Sequence, residues 1–267
     1  MNLYDNEEII LEFFRYVSTE EVLFLNHNKE TEDIFEKIHS EDNWNYWINN
    51  SKKSDPPPDF FSNKFNLMME VMRIDDHAHE NAKGKIVNPT NQRESKLQKE
   101  LKDNGIFEAF PNIKYSFVNA ITDLATEDDH NYDYYLSNFK RSIEKHNAKV
   151  TNYKENHNNK KMIFFLLDES SAYFEATNDN RTHSRIAGTQ TLGQPHFHFL
   201  DEKFIDTILK CDIDYFIWYS PYKILKSDIR TLSLPKICIV DISSPLDDDF
   251  VNVIKHYNKN KMISTEV

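Results

Sequence analysis

The six residues from Met162 to Leu167 are all apolar and sit between Lys160–Lys161 and Asp168–Glu169. A short apolar run bounded by charge predicts a strand buried on both faces. Such a strand needs neighbours on each side and helices above and below it. Ile213 to Tyr219 and Lys236 to Ile242 read as two such neighbours, the second again apolar almost throughout. Helical stretches alternate with these strands, so the expected fold class is α/β, a mixed central sheet flanked by helices on both faces. No internal repeat and no linker-like stretch divides the 267 residues, which predicts a single domain over 1–267.

The rest of the chain fills in the layers. Asp5 can cap a helix to about Val17, with Glu8 completing a capping-box pattern and Ile9, Ile10, Phe13, Phe14 and Val17 forming its apolar stripe. Val22 to Leu25 reads as a short strand, Thr31 to Ile38 as a helix opened by Thr31, and Trp44 to Ile48 as a second strand or packing segment. Thr90 or Asn91 caps a helix to about Asp103, stopped by Asn104 and Gly105. Ile113 to Val118 reads as a strand, and Asp129 to about Asn156 as one long helix with Tyr135, Leu136, Phe139 and Ile143 inward. Asn178 to Gln194 is polar, carries Gly188 and Gly193, and reads as a loop. Asp201 starts a helix to about Lys210, and Asp247 or Asp248 starts a last one to about Tyr257.

The chemistry concentrates between Pro58 and Arg73. Pro56, Pro57 and Pro58 force extended backbone directly before Asp59. Leu67, Met69 and Val71 then alternate around Glu70, as in a strand with one buried face. The segment predicts a hairpin whose strands bring Asp59 and Glu70 to a common point. Two carboxylates there repel, and Mg²⁺ suits a site of one or two carboxylates completed by water and phosphate.

Pro58-Asp59, a short gap and Glu70-Val71-Met72 resemble the core signature of the PD-(D/E)XK nuclease superfamily. The resemblance covers this hairpin and its flanks. It implies a restriction-endonuclease-like core and a metal-dependent endonuclease that hydrolyses phosphodiester bonds, with Mg²⁺ or Mn²⁺ held by Asp59 and Glu70. In this superfamily a glutamate of the first helix often completes the metal site, which makes Glu12 a candidate ligand. The signature's lysine is replaced by Met72. An amine or guanidinium then has to come from elsewhere, from Arg73, from Lys99, or from Lys64 or Lys96. The resemblance also implies nucleic acid, most simply DNA, as partner, with restriction or phage defence among the possible roles. The alternative it leaves is a catalytically inactive nuclease-like subunit that binds a protein or nucleic-acid partner, or a second copy of itself.

Composition limits these readings. The formal net charge of −12 opposes nucleic-acid binding at long range, so any phosphate track must be local. Lys140, Arg141, Lys145, Lys149, Lys154, Lys160 and Lys161 form the one basic stretch, either a phosphate track or a solvated helix face. Four glycines and the absence of G-x-G-x-x-G and G-x-x-x-x-G-K disfavour Rossmann and P-loop nucleotide sites. Two cysteines, Cys211 and Cys238, both beside apolar residues, suggest buried thiols rather than a disulfide framework. No run approaches the ~18 apolar residues of a membrane helix, and the first residues are acidic where a signal peptide is basic. A cytoplasmic protein with no membrane association is the expectation. A third reading is a metal hydrolase of another class. It would centre on Asp76, His77 and His79, or on the alternating pair His196 and His198.

Overall fold

In the computed structural model, which describes residues 6–51, 58–112, 130–177, 193–226 and 231–265, the apolar run lies in the middle of the main sheet. The strands along the chain are β1 (Val22–Phe24), β2 (Ile48–Asn49), β3 (Phe60–Ser62), β4 (Leu67–Ile74), β5 (His79–Glu80), β6 (Ile86–Val87), β7 (Lys161–Asp168), β8 (Tyr173–Ala176), β9 (Gly193–Pro195), β10 (Tyr215–Tyr219), β11 (Ile224–Lys226), β12 (Thr231–Ser233), β13 (Ile237–Asp241) and β14 (Met262–Ser264). The helices are α1 (Glu7–Arg15), α2 (Lys29–His39), α3 (Glu41–Trp44), α4 (Pro89–Asp103), α5 (Ile106–Ala109), α6 (Tyr132–Asn147), α7 (Val150–Asn156), α8 (Glu202–Ile208) and α9 (Asp248–Val251).

Among the described residues the main sheet has seven strands in the order β1-β13-β10-β7-β4-β3-β2. β7 is parallel to both neighbours, in register with β4 from Leu67–Lys161 to Ile74–Asp168 and with β10 from Ile163–Tyr215 to Leu167–Tyr219. β2, β3 and β4 form an antiparallel meander, and β13 runs antiparallel to β10 but parallel to β1. Alternation along the strands sorts the side chains to two faces. Met68, Met72, Phe164 and Leu166 meet Tyr135, Phe139 and Phe204 of α6 and α8. Met69, Val71, Ile163, Phe165 and Leu167 meet Ile10, Phe14, Ile34 and Phe35 of α1 and α2. Each such side chain contributes about 1.5–3 kcal/mol by leaving water, which favours this two-sided sheet. The mixed, helix-flanked α/β sheet is therefore observed.

Several elements differ from their sequence reading. β4 is buried on both faces, because it is an interior strand with helices on each side; Arg73 is its one exposed residue. Asn6 caps α1, its Oδ1 accepting from the Glu8 N–H at 2.9 Å, while Asp5 lies outside the described residues. Thr31 is the third residue of α2, in a reciprocal capping box with Asn28, so the helix starts earlier than a cap at Thr31 requires. Trp44 ends the helical turn α3, and only Ile48 and Asn49 are strand. The long helix predicted to Asn156 is two, α6 and α7, with the chain leaving α6 at Ala148. Its predicted start at Asp129, the strand Ile113–Val118 and residues 178–192 of the predicted loop lie outside the described residues. α9 stops at Val251, because the following chain turns back to bridge Lys255 to Asp201 and bury Tyr257.

The β3–β4 hairpin turns through Asn66, at φ 55°, a conformation that asparagine tolerates better than most residues. Cys238 is buried and Cys211 partly exposed; both are free thiols. Among the described residues no helix is long and apolar enough to cross a membrane.

Candidate active site

β3 pairs with β4 only as far as Phe60–Met69, and one residue further along each strand stand Asp59 and Glu70. Glu70 shares the face of Met68 and Met72, under α6 and α7, and is almost fully buried. Its Oε1 accepts from the His146 ring nitrogen Nδ1 at 2.6 Å and from the Tyr153 hydroxyl at 3.2 Å. Both donors come from the helices that follow the hairpin by some eighty residues, and both hold the carboxylate in one orientation. Asp59 Oδ2 accepts from the Val71 N–H at 2.8 Å, capping the β4 edge where β3 leaves it. Burial, then repulsion by Glu70, pushes the Asp59 carboxyl up to about 7. The charge of Glu7 adds to that rise, and the charge of Lys149 opposes it.

Beyond Val71 the edge of β4 opens into a cleft of about 530 Å³ between α1 and α6. Glu7 and Ile10 line one wall; Asn138, Arg141, Ser142, Lys145 and His146 line the other; Val71 to Asp75 form the floor. His146 therefore touches both the cleft and Glu70. The cleft is lined by the acids Glu7 and Asp75 and the cations Arg73, Arg141 and Lys145; Asp59 and Glu70 lie beside it, Glu70 joined to it through His146.

The sequence-derived candidates fall as follows. Asp59 and Glu70 come together. Glu12 sits on α1 one turn before Arg15, whose charge it stabilises, while Glu7 is the α1 glutamate that acts on Asp59. Arg73 borders the cleft, but its Nε and Nη2 donate to Glu169 Oε2 at 2.9 and 2.7 Å. Burial raises the Glu169 carboxyl, and Arg73 counteracts part of that rise. Lys99 and Lys96 stand exposed on α4, and Lys64 lies 3.2 Å from the centre of the Tyr46 ring. Met72, where the signature has lysine, is buried in the core. The cation whose charge reaches Asp59 is Lys149, which the sequence offered only as part of a basic stretch. Of that stretch, Arg141 and Lys145 line the cleft, whereas Lys154 pairs with Asp212 and Lys161 with Glu30.

A second polar region, of which the sequence offered only the separate histidine and aspartate clusters, lies at the carboxyl ends of β4, β7 and β10. Asp168, fully buried, accepts from Tyr135 Oη at 2.6 Å, Trp218 Nε1 at 2.9 Å and Ser170 Oγ at 2.6 Å, with Lys223 Nζ at 3.3 Å. Lys223 is itself buried, donates to Ser170 Oγ at 2.6 Å and the Ser171 carbonyl at 3.0 Å, and is lowered by burial against the pull of Asp168. Asp201 receives the Tyr132 hydroxyl and His196 Nε2, and His198 is buried beside Ser220 and Trp218. His196 is thus bound to a carboxylate, and the pair His196–His198 lies on a loop and a short 3₁₀ turn rather than on a strand. Asp76 meets His77 and His130, whereas His79 stacks on Tyr134. The sequence offered Asp76, His77, His196 and His198 as candidate ligands and Asp168 as the polar end of a buried strand; it gave no sign of Lys223, Tyr132 or His130 as their partners. Comparison with protein-family models, curated proteins and solved structures finds no match to this chain.

Proposed function

We propose that this chain is a Mg²⁺-dependent nuclease with a restriction-endonuclease-like core, hydrolysing phosphodiester bonds of nucleic acid in the cleft beside Asp59 and Glu70. The observation that carries the reading is the juxtaposition of these two acids on neighbouring strands, costly for a folded protein and directly relieved by a divalent cation. The donor set fits: both acids offer oxygen, each has one carboxylate oxygen held by the protein's own donors, and Glu7 adds a third acidic group nearby.

When bound, Mg²⁺ supplies polarisation of the phosphodiester and a lower pKa for an attacking water. The chain's own residues do the rest. His146 and Tyr153 fix Glu70, and the Val71 N–H fixes Asp59, so the metal-facing oxygens need little reorganisation on binding. Arg141 and Lys145 line the cleft where phosphates of a bound strand would run, which answers the repulsion of a chain with net charge −12. Lys149, whose charge acts on Asp59, is the amine proposed in place of the missing signature lysine.

The test is cleavage of supercoiled plasmid, linear DNA and RNA with Mg²⁺ or Mn²⁺, comparing wild type with Asp59→Ala and Glu70→Ala. Metal-dependent cutting that both substitutions abolish is the expected result; a wild type no better than the variants ends the proposal. A second reading, an inactive subunit of the same fold, is favoured by Met72 in the core and by the two donors already on Glu70 Oε1. It predicts no cleavage, weak Mg²⁺ binding and a stable partner recovered with the chain.

A further inference from the structure

We propose that Asp76, His77 and His130 form a binding site for a divalent transition metal of the zinc class, separate from the Asp59–Glu70 pair. Asp76 lies two residues beyond the end of β4, His77 is next to it, and His130 enters just before α6. One ligand atom from each lies within 4.8 Å of the other two, the one such group of three among the described residues.

The carboxylate of Asp76 is divided between two jobs. Its Oδ2 accepts from the Ser171 N–H at 3.1 Å, the Ser171 hydroxyl at 2.5 Å and the Tyr173 hydroxyl at 2.6 Å. Oδ1 is turned to the imidazoles, 3.3 Å from His130 Nδ1 and 3.7 Å from His77 Nε2. The two rings stand at 63° with centroids 4.7 Å apart, converging rather than stacking.

His130 Nδ1 is within hydrogen-bond reach of Asp76 Oδ1, and both imidazoles sit at spacings a bridging metal would also set. Charge-assisted hydrogen bonds between nitrogen and carboxylate run at about 2.7–2.9 Å. The same protein makes two of that kind, His146–Glu70 at 2.6 Å and His196–Asp201 at 2.9 Å. Asp76 holds both of its histidines further off. Zinc with bonds of about 2.0–2.1 Å in tetrahedral array sets its donor atoms roughly 3.3–3.5 Å apart, which brackets the His130 distance and nearly reaches the His77 one. Two imidazoles and one carboxylate suit Zn²⁺ and its neighbours in the transition series, not Mg²⁺, which takes oxygen ligands. The three hydrogen bonds on Oδ2 are the outer support that orients a metal-binding carboxylate. Asp76 is fully buried, but the His77 and His130 side chains are 16% and 20% exposed, so the cluster opens to solvent on the imidazole side. Three protein donors leave a fourth position for water or another ligand. His79 is not part of the set: its ring stacks on Tyr134, and its Nδ1 donates to the His77 carbonyl at 3.1 Å.

The experiment is titration of the chelator-stripped protein with Zn²⁺ by calorimetry and with Co²⁺ by its visible absorption. Wild type, His79→Ala and Asp59→Asn are expected to bind one equivalent with tetrahedral or five-coordinate Co²⁺ spectra. His77→Ala and His130→Gln, both at partly exposed positions and checked for wild-type circular dichroism, should bind at least roughly 100-fold more weakly, beyond the usual loss for outer-shell changes. Failure of the wild type to bind, binding unchanged in both His77→Ala and His130→Gln, or equal loss in His79→Ala or Asp59→Asn, would overturn the assignment and leave the cluster as a hydrogen-bonded triad.

Discussion

Asp59→Asn removes the charge that burial, and then repulsion by Glu70, disfavours at the proposed metal site. The substitution removes one charge and keeps an oxygen that can accept from the Val71 N–H, so the hairpin loses no hydrogen bond. Asp59 holds its proton to about 7 in the folded protein, against an ordinary value of 3.8 in the unfolded chain. Between these values the folded state binds the extra proton, so this group makes stability fall as pH rises from about 4 to about 7, and the full cost is present above 7. At about 1.4 kcal/mol per pH unit the ceiling is roughly 4 kcal/mol. Asp59 is partly open to water, which screens its partner, and a discount to about 2 kcal/mol is appropriate. Urea denaturation in EDTA should therefore find Asp59→Asn about 2 kcal/mol more stable than wild type at pH 8, with the gap closing by pH 4. Added Mg²⁺ should raise the wild type and leave the variant unmoved, since a ligand stabilises only the state that binds it. A variant that is less stable at pH 8, or a gap that ignores pH, would refute the reasoning that the Asp59 charge is costly beside Glu70.

Two further substitutions probe the rest of the account. Lys223→Met leaves Asp168 buried without its cation, and should cost about 3–5 kcal/mol, roughly 6–20 °C in thermal midpoint; adding Asp168→Asn should restore part of it, and a single variant as stable as wild type contradicts the buried pair. Gly193→Ala places a Cβ 2.7 Å from the Glu175 carbonyl, where β9 pairs antiparallel with β8, so midpoint denaturation should show a loss of about 1–3 kcal/mol, while the cleft at α6 keeps its Mg²⁺ response.

What can be read from the amino acids alone follows from how local each cause is. The strands around Phe164, Ile217 and Ile239 declare themselves because a strand buried on both faces is apolar along most of its length. The adjacency of Asp59 and Glu70 is legible from Pro58, the turn and the alternation of β4. Partners across the fold are not: His146 and Tyr153 reach Glu70 from 76 and 83 residues away, and nothing near them in the chain marks them. Glu7 and Glu12 look alike as first-helix acids, and only the rotation set by the Asn6 cap and the packing of Ile10 and Phe14 turns Glu7 to the cleft. Lys223 reads as one lysine among many until the chain folds it over Asp168. His130 is separated from Asp76 and His77 by α4, α5 and the residues between, so the sequence offers His79 in its place.

The central claim is that Asp59 and Glu70 share one divalent cation, and calorimetric titration of Mg²⁺ into the metal-stripped protein tests it most directly. The account predicts a single Mg²⁺ site in wild type and in His77→Ala, lost in Asp59→Asn and in Glu70→Gln. Mg²⁺ binding that survives both carboxylate substitutions, or a wild type that takes up none, would contradict it.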